Sequence, residues 1–399
     1  MKKLKIIFFL LISAAFAILT IQNVHGQESE AANEQVILTY EQARQMAISD
    51  ILAVQDIDKI IREMQGQRRD LAYTVRRLRE AGPHQNEQLR RGAQRDLNEF
   101  DRYVMSLQLQ QKQIQLLAEF ALRRAVAALA EHNIQIEAWE NDFVLAEDSL
   151  RRATIMHELG FASDLDLKNV QHSFDQVSKG QDELLRSKES LMKDLNTLLG
   201  LPLAQYTVII FDMTLPEFPE YLTPHIEALV RQDILILTLQ AVLDQALDER
   251  WVYTGNRNRD IFISTRDRQR AWADTTGYVG PTHEPTEEIL RIRNRLSLQE
   301  AVERANLELE QAKQELEAAI RRRFNDYEGL FTRLEVLEMQ RLQALVTLEV
   351  ALVEYRLGLI TQFEVEQTRL AASRIEQEKE LLNIQKWIMS FVLGNPSLL

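Results

Sequence analysis

The chain has 399 residues, 45% hydrophobic and 27% charged, with only 13 Gly, 8 Pro and no Cys. So little turn punctuation argues against an all-β fold and against a doubly wound α/β enzyme, which needs strands and glycine turns at short intervals. The absence of Cys excludes disulfides, thiolate metal sites and a lipid-anchored cysteine. The three Lys of residues 1–26 leave 44 basic against 60 acidic residues in 27–399, a net of −16 that disfavours a nucleic-acid partner.

In chain order, Met1-Lys2-Lys3-Leu4-Lys5 and the apolar run Ile6–Ile21 read as a secretory signal ending near Gly26. The competing reading is an uncleaved anchor, for which sixteen apolar residues are short of the ~20 that span a bilayer. Beyond it, residues 84–201 and 286–395 contain no Pro and are rich in Leu, Ala, Glu, Gln, Arg and Lys, which makes them helical by propensity. The spacing predicts helices at about 40–80, 93–158, 164–199, 224–252, 286–356 and 362–393. A short strand is predicted within Tyr206–Phe211.

The chain reads as a duplication. His157-Glu-Leu-Gly-Phe-Ala-Ser-Asp-Leu-Asp166 and Tyr355-Arg-Leu-Gly-Leu-Ile-Thr-Gln-Phe-Glu364 align on Gly160 and Gly358. Before each glycine Trp139, Ala146, Leu150 and Ala153 match Leu337, Ala344, Leu348 and Ala351; after it, Leu167, Phe174, Val177 and Leu184 match Val365, Ala372, Ile375 and Leu382. Steps of three, four and seven mark a heptad seam. Each copy is therefore two long helices joined by a tight turn, and so short a loop forces the arms to run antiparallel. Gly160 and Gly358 suit the left-handed position that ends a helix. Ser163-x-x-Asp166 and Thr361-x-x-Glu364 read as capping boxes opening the next one. The starts echo each other too: Thr39-x-x-Gln42 leads to Asp50-Ile-Leu52, and Thr223-Pro-His-Ile226 to Asp233-Ile-Leu235. The resulting layout is a signal peptide at 1–26, a first repeat at 27–202, a linker at 203–223 and a second repeat at 224–399 with an Arg-rich insert at 253–285. The fold class is all-α: long antiparallel coiled-coil hairpins, internally duplicated, with at most a few short strands.

Together the signal, the two-copy layout, the Leu38-Thr-Tyr-Glu-Gln-Ala43 opening and the duplicated Gly160/Gly358 turn resemble the TolC-like outer-membrane efflux protein family. That resemblance implies a homotrimer in which three protomers close twelve helices into an α-helical exit duct. It implies partners as well: a periplasmic-type adaptor (membrane fusion protein) and an inner-membrane pump. By position, Gly160, Phe161, Gly358 and Leu359 would be the adaptor-facing tips, and Asp166 and Glu364 the acids of a tip constriction. The competing reading of Asp166 and Glu364 is capping by Ser163 and Thr361 alone, since acids belong in a first helical turn in any case. The resemblance places the chain at the outer membrane. However, neither 81–92 nor 253–285 offers the ~9–11 alternating residues of a membrane strand, so an extracytoplasmic, non-spanning location in the envelope fits the sequence as well.

At the opposite end of the hairpins lie two arginine clusters: Arg68, Arg69, Arg76, Arg77, Arg90 and Arg91, and Arg257, Arg259, Arg266, Arg268 and Arg270. One reading is a basic collar on anionic wall polymer or lipid head groups; the other is a solvated face with i,i+4 ion pairs. The seven His are scattered and no phosphate loop, dinucleotide fingerprint or nucleophile elbow is present, so the reading is a protein without catalysis or cofactor. The alternative function is a coiled-coil scaffold of the envelope with no lumen.

Overall fold

The computed structural model describes residues 36–49, 51–80, 87–203, 205–211, 222–254 and 287–398. The signal at 1–26 and the arginines from 257 to 270 lie outside them. The fold is all-α. Strand β1 (Val36–Thr39) leads into α1 (Tyr40–Ser49), α2 (Leu52–Glu80), α3 (Glu87–Glu158) and α4 (Asp164–Leu199). Strand β2 (Thr207–Ile210) precedes α5 (Leu222–Gln232), α6 (Ile234–Thr254), α7 (Glu287–Arg356) and α8 (Gln362–Gly394), with a closing 3₁₀ turn at Pro396–Leu398. Helices α3 and α7 have 72 and 70 residues, each about 105 Å long at 1.5 Å per residue.

Two helices expected to be continuous are each divided. The reading of 40–80 as one helix gives way to α1 and α2, and that of 224–252 to α5 and α6. At the second break the cause is visible. Asp233 is buried, and its Oδ1 accepts the backbone N–H groups of Leu235 (2.9 Å) and Ile236 (3.3 Å), capping α6. Its Oδ2 accepts the Ser397 hydroxyl at 2.6 Å, and Ser397 Oγ accepts the Ile234 N–H at 3.2 Å. A helix restarting at an aspartate satisfies donors that an uninterrupted helix would not leave free. The strand expected near 206–211 is β2, and it pairs in parallel with β1, with Val36 opposite Thr207 and Thr39 opposite Ile210. Strand β1 had no separate signal, because four residues carry too little alternation.

The described residues divide into two compact units. One takes in those of 1–51, 116–218 and 323–394; the other those of 52–115, 219–322 and 395–399. In the first, Ala43 and Ala47 of α1 pack with Leu122, Val126 and Leu129 of α3, Leu195 and Leu199 of α4, and Ile384 and Trp387 of α8. Arg123 holds this core from one side. Its guanidinium lies 4.2 Å from the centre of the Trp387 ring and 4.5 Å from that of Phe391, and Nη1 donates to the Trp387 carbonyl at 3.0 Å. A cation packed against rings needs no carboxylate partner to be stabilised. Buried Asn196 pins the linker: its Nδ2 donates to the carbonyls of Pro202 and Gln205, and its Oδ1 accepts the Thr207 hydroxyl at 2.7 Å.

In the second unit Ile57 and Ile61 of α2 pack on Val104 and Leu107 of α3. Buried Asp248 of α6 accepts from Asn98 at 3.1 Å and pairs with Arg102 of α3. Removing the α6 cap is the cleanest test of the break. Asp233→Ala should lower unfolding free energy by about 1–2 kcal/mol, read from the urea midpoint at unchanged slope.

Candidate functional site: the paired hairpin tips

Each hairpin of the first unit closes on the same backbone device. Gly160 and Gly358 have φ of 76° and 74°, where a side chain costs roughly 1–2 kcal/mol. At the first tip the Phe161 N–H donates to the Met156 carbonyl at 2.8 Å and the Gly160 N–H to His157 at 2.9 Å. At the second, Leu359 donates to Glu354 and Gly358 to Tyr355, both at 2.9 Å. These are paired 6→1 and 5→2 bonds, the Schellman closure of a helix.

The next helix opens within three residues. Ser163 Oγ accepts the Asp166 N–H at 3.2 Å, while the Asp166 carboxylate accepts from Ser163 N at 3.0 Å and Oγ at 2.6 Å. Thr361 and Glu364 repeat this, with the carboxylate accepting from Thr361 N at 2.7 Å and Oγ1 at 2.9 Å. The hydroxyl and then the backbone N–H of Ser163 hold the Asp166 carboxyl below its usual range. For Glu364 the order is reversed, with the Thr361 backbone N–H first and its hydroxyl second. Both carboxylates are therefore charged at neutral pH, and both are exposed.

Between stop and cap, each turn leaves apolar side chains in water. Leu159 and Phe161 are 62% and 74% exposed, Leu357 and Leu359 68% and 70%. Such patches mark contact sites more often than free surface. One contact is confined to the first tip: His157 Nε2 lies 2.6 Å from Asp164 Oδ1. Tyr355 and Gln362 hold the corresponding places at the second.

The two hairpins stand side by side. Arg374 of α8 pairs with Asp142 of α3 at 2.8 Å, and Asn141 reaches Ser373 at 3.5 Å. Near the tips the Arg152 guanidinium lies 4.2 Å from the centre of the Phe363 ring. Within the first hairpin, Trp139 Nε1 donates to the Val177 carbonyl at 2.6 Å and Phe143 packs on Phe174. Within the second, Arg341 and Lys379 donate to Glu338 and hold its carboxyl down to about 2. The lateral order is therefore α4, α3, α8, α7. Heptad reading found the seam inside each hairpin but missed the ties between hairpins. Arg152, Asp142 and Arg374 fall outside the seam and carry no spacing signal. It also missed a second apolar row on α7, offset by two residues from the first.

Of the arginine clusters, Arg68 donates to Asp101, and Arg76 Nε lies 3.1 Å from Glu80. Arg77 lies over the Tyr73 ring. Arg69 is exposed, and Arg90 and Arg91 are half-buried. Among the described residues no group of three or more His, Asp or Glu could hold a metal ion, and no helix is long and apolar enough to cross a membrane.

No family model matches the sequence, and no curated protein sequence is similar to it. Solved structures are similar in fold. The outer-membrane channel OprN aligns over 90% of both chains with a TM-score of 0.57 at 16% identity. The Campylobacter jejuni CmeC outer membrane channel aligns over 90% of this chain and 86% of its own, at 0.59 and 11%. The outer membrane protein VceC of Vibrio cholerae gives 0.53 and 12% over 89% and 96%. This is the fold of a TolC-like channel protomer. Among the described residues β1 and β2 are the only strands, four residues each; residues 81–86 and 255–286 lie outside the described residues.

Two outcomes follow from the turns. Gly358→Ala should destabilise by about 1–2 kcal/mol, because the backbone must stay left-handed; thermal unfolding beside Gly329→Ala, a mid-helix control, separates this from helix propensity. Because the folded Asp166 carboxyl titrates below its unfolded value, its cap stabilises above the usual carboxylate range near pH 4 and is lost as pH falls through the folded value. Ser163→Ala should move the Asp166 titration upward in a carboxylate NMR series.

Proposed function

We propose that this chain is a subunit of a homotrimeric α-helical exit duct of the cell envelope, docking by its hairpin tips onto an adaptor of an export pump. The observation that carries the reading is the pair of side-by-side hairpins ending in the same exposed apolar turn, on the fold of outer-membrane channels. A single protomer gives four arms in two antiparallel hairpins, which cannot enclose a lumen; three protomers give twelve. Leu159, Phe161, Leu357 and Leu359 are the docking surface, and the rigid Schellman turns present it without loss of loop entropy. Asp166 and Glu364, charged at neutral pH, would set six carboxylates around the narrow end, a ring that favours cations. Arg69, Arg76 and Arg77, exposed on α2, are the surface for anionic wall polymer or lipid head groups in an exported, envelope-associated protein.

The test has two parts. Light scattering after size exclusion of protein isolated from the envelope should give the mass of a trimer; a monomer or an open-ended series of masses would replace the duct with a scaffold. Phe161→Asp with Leu359→Asp should keep that mass and lose co-purification of a helical-hairpin adaptor after crosslinking in cells. Retained co-purification would remove the tips from the interface.

A further inference from the structure

Helix α2 has two unlike faces. On one, Ile57, Ile61 and Val75 are buried, Met64, Leu71 and Leu78 are half-buried, and Arg68 donates to Asp101 of α3. The other is exposed and basic. Arg62, Arg69 and Arg76 recur every seven residues and are all exposed, so they form one row with about 10.5 Å between successive members at 1.5 Å per residue. Beside it runs an exposed row of the same period, Gly66, Tyr73 and Glu80.

The arginine row is only partly neutralised from within. Arg76 Nε lies 3.1 Å from Glu80, with side chains 79% and 64% exposed, a pair weak enough to give way to another anion. Among the described residues Arg62 and Arg69 have no ion-pair or hydrogen-bond partner. A third row, Glu63, Asp70 and Arg77, bounds the Tyr73 row on its far side, and its two acids repel an anion there.

Packing does not account for the row between. Tyr73 is 58% exposed, with the Arg77 guanidinium 5.2 Å from its ring centre. Gly66 stands in mid-helix, where glycine weakens the helix. Its φ is not positive, and a Cβ placed on it would meet nothing within 4 Å, so neither a turn nor crowding requires it. What glycine supplies there is bare backbone that a ligand approaches closely. Gly66 lies four residues after Arg62 and three before Arg69; Tyr73 lies four after Arg69 and three before Arg76. The arrangement occurs twice, one heptad apart: a flat seat between two cations.

A repeated seat calls for a repeating ligand. A bilayer is not that ligand, because a helix lying in an interface buries a continuous apolar face. Among its described large apolar side chains, α2 exposes only Tyr73, Leu52 and Ile60; Ile60 is about 140° round the helix from Tyr73, and Leu52 about 31 Å below it. Two copies of the face would repel each other. A sugar chain fits: its rings offer flat C–H faces to an aromatic ring or to bare backbone, and its acidic groups suit the guanidinium fork. We infer that this face of α2 binds an acidic polysaccharide, with sugar rings on Gly66 and Tyr73 and anionic groups on Arg62, Arg69 and Arg76. This deepens the reading of α2 as a surface for anionic polymer and rests on the envelope placement proposed above, not on the duct.

The test measures binding of the full chain to immobilised hyaluronan, an acidic polymer with one carboxylate per disaccharide, beside neutral dextran and phosphatidylglycerol vesicles. The variants are R69Q/R76Q, Y73A and G66Q, all at exposed positions, with helical circular dichroism to check folding. Binding to hyaluronan and not to dextran is expected, weakened about tenfold or more by R69Q/R76Q. Y73A and G66Q leave the charge unchanged and should each weaken it about threefold or more. Unchanged affinity in both Y73A and G66Q would reduce the face to a general cation patch and overturn the proposal. Binding to vesicles but not to hyaluronan, or to neither, would overturn it too. Mass by light scattering separates the two readings: a trimer that ignores hyaluronan overturns this one and leaves the duct, and a binder that is no trimer does the reverse.

Discussion

A helix of some 100 Å has no interior. Whatever stabilises α3 and α7 must be supplied by neighbours along their length, since helix propensity alone contributes little per residue. Each neighbour covers one flank, and a long helix has two. Within a hairpin the first flank is covered by the returning arm; between hairpins the second flank of α3 and of α8 is covered by the other hairpin, through Asp142, Arg374 and the Arg152–Phe363 contact.

This accounts for the economy of the turns. A turn of three to five residues cannot wander, so the arms it joins stay in register, and glycine with φ near +75° makes the reversal without strain. The caps then restart the chain at once. Asp166 and Glu364 each serve the cap and remain charged, so the capping and constriction readings of these acids do not compete: a carboxylate that accepts from its own Ser or Thr keeps its charge and its exposure.

Much of this was legible in the residues because long helices write their contacts as a period. The Trp139–Ala153 and Leu337–Ala351 rows gave the hairpins, and the Gly, Ser/Thr and Asp/Glu spacing gave the turns. What was not legible had no period to carry it. The break before α6 depends on Asp233 meeting Ser397, 164 residues away. Strand β1 depends on β2, 171 residues on. The outer α7 row was present as Val336, Met339 and Val346, but nothing in a single sequence says which of two apolar rows on one helix the returning arm covers.

The core of the first unit has one further consequence. Ala43, Leu122, Val126 and Leu195 come from the first half of the chain, yet Ile384 and Trp387 close the cluster, and Arg123 holds its rings only when Trp387 is there. A polypeptide is made from its N-terminus, so this core stays open until α8 has emerged. Contacts across more than 250 residues are slow to form, and until they do the long arms expose their seams. A core that closes so late leaves the nascent chain dependent on protection from aggregation for nearly all of its synthesis.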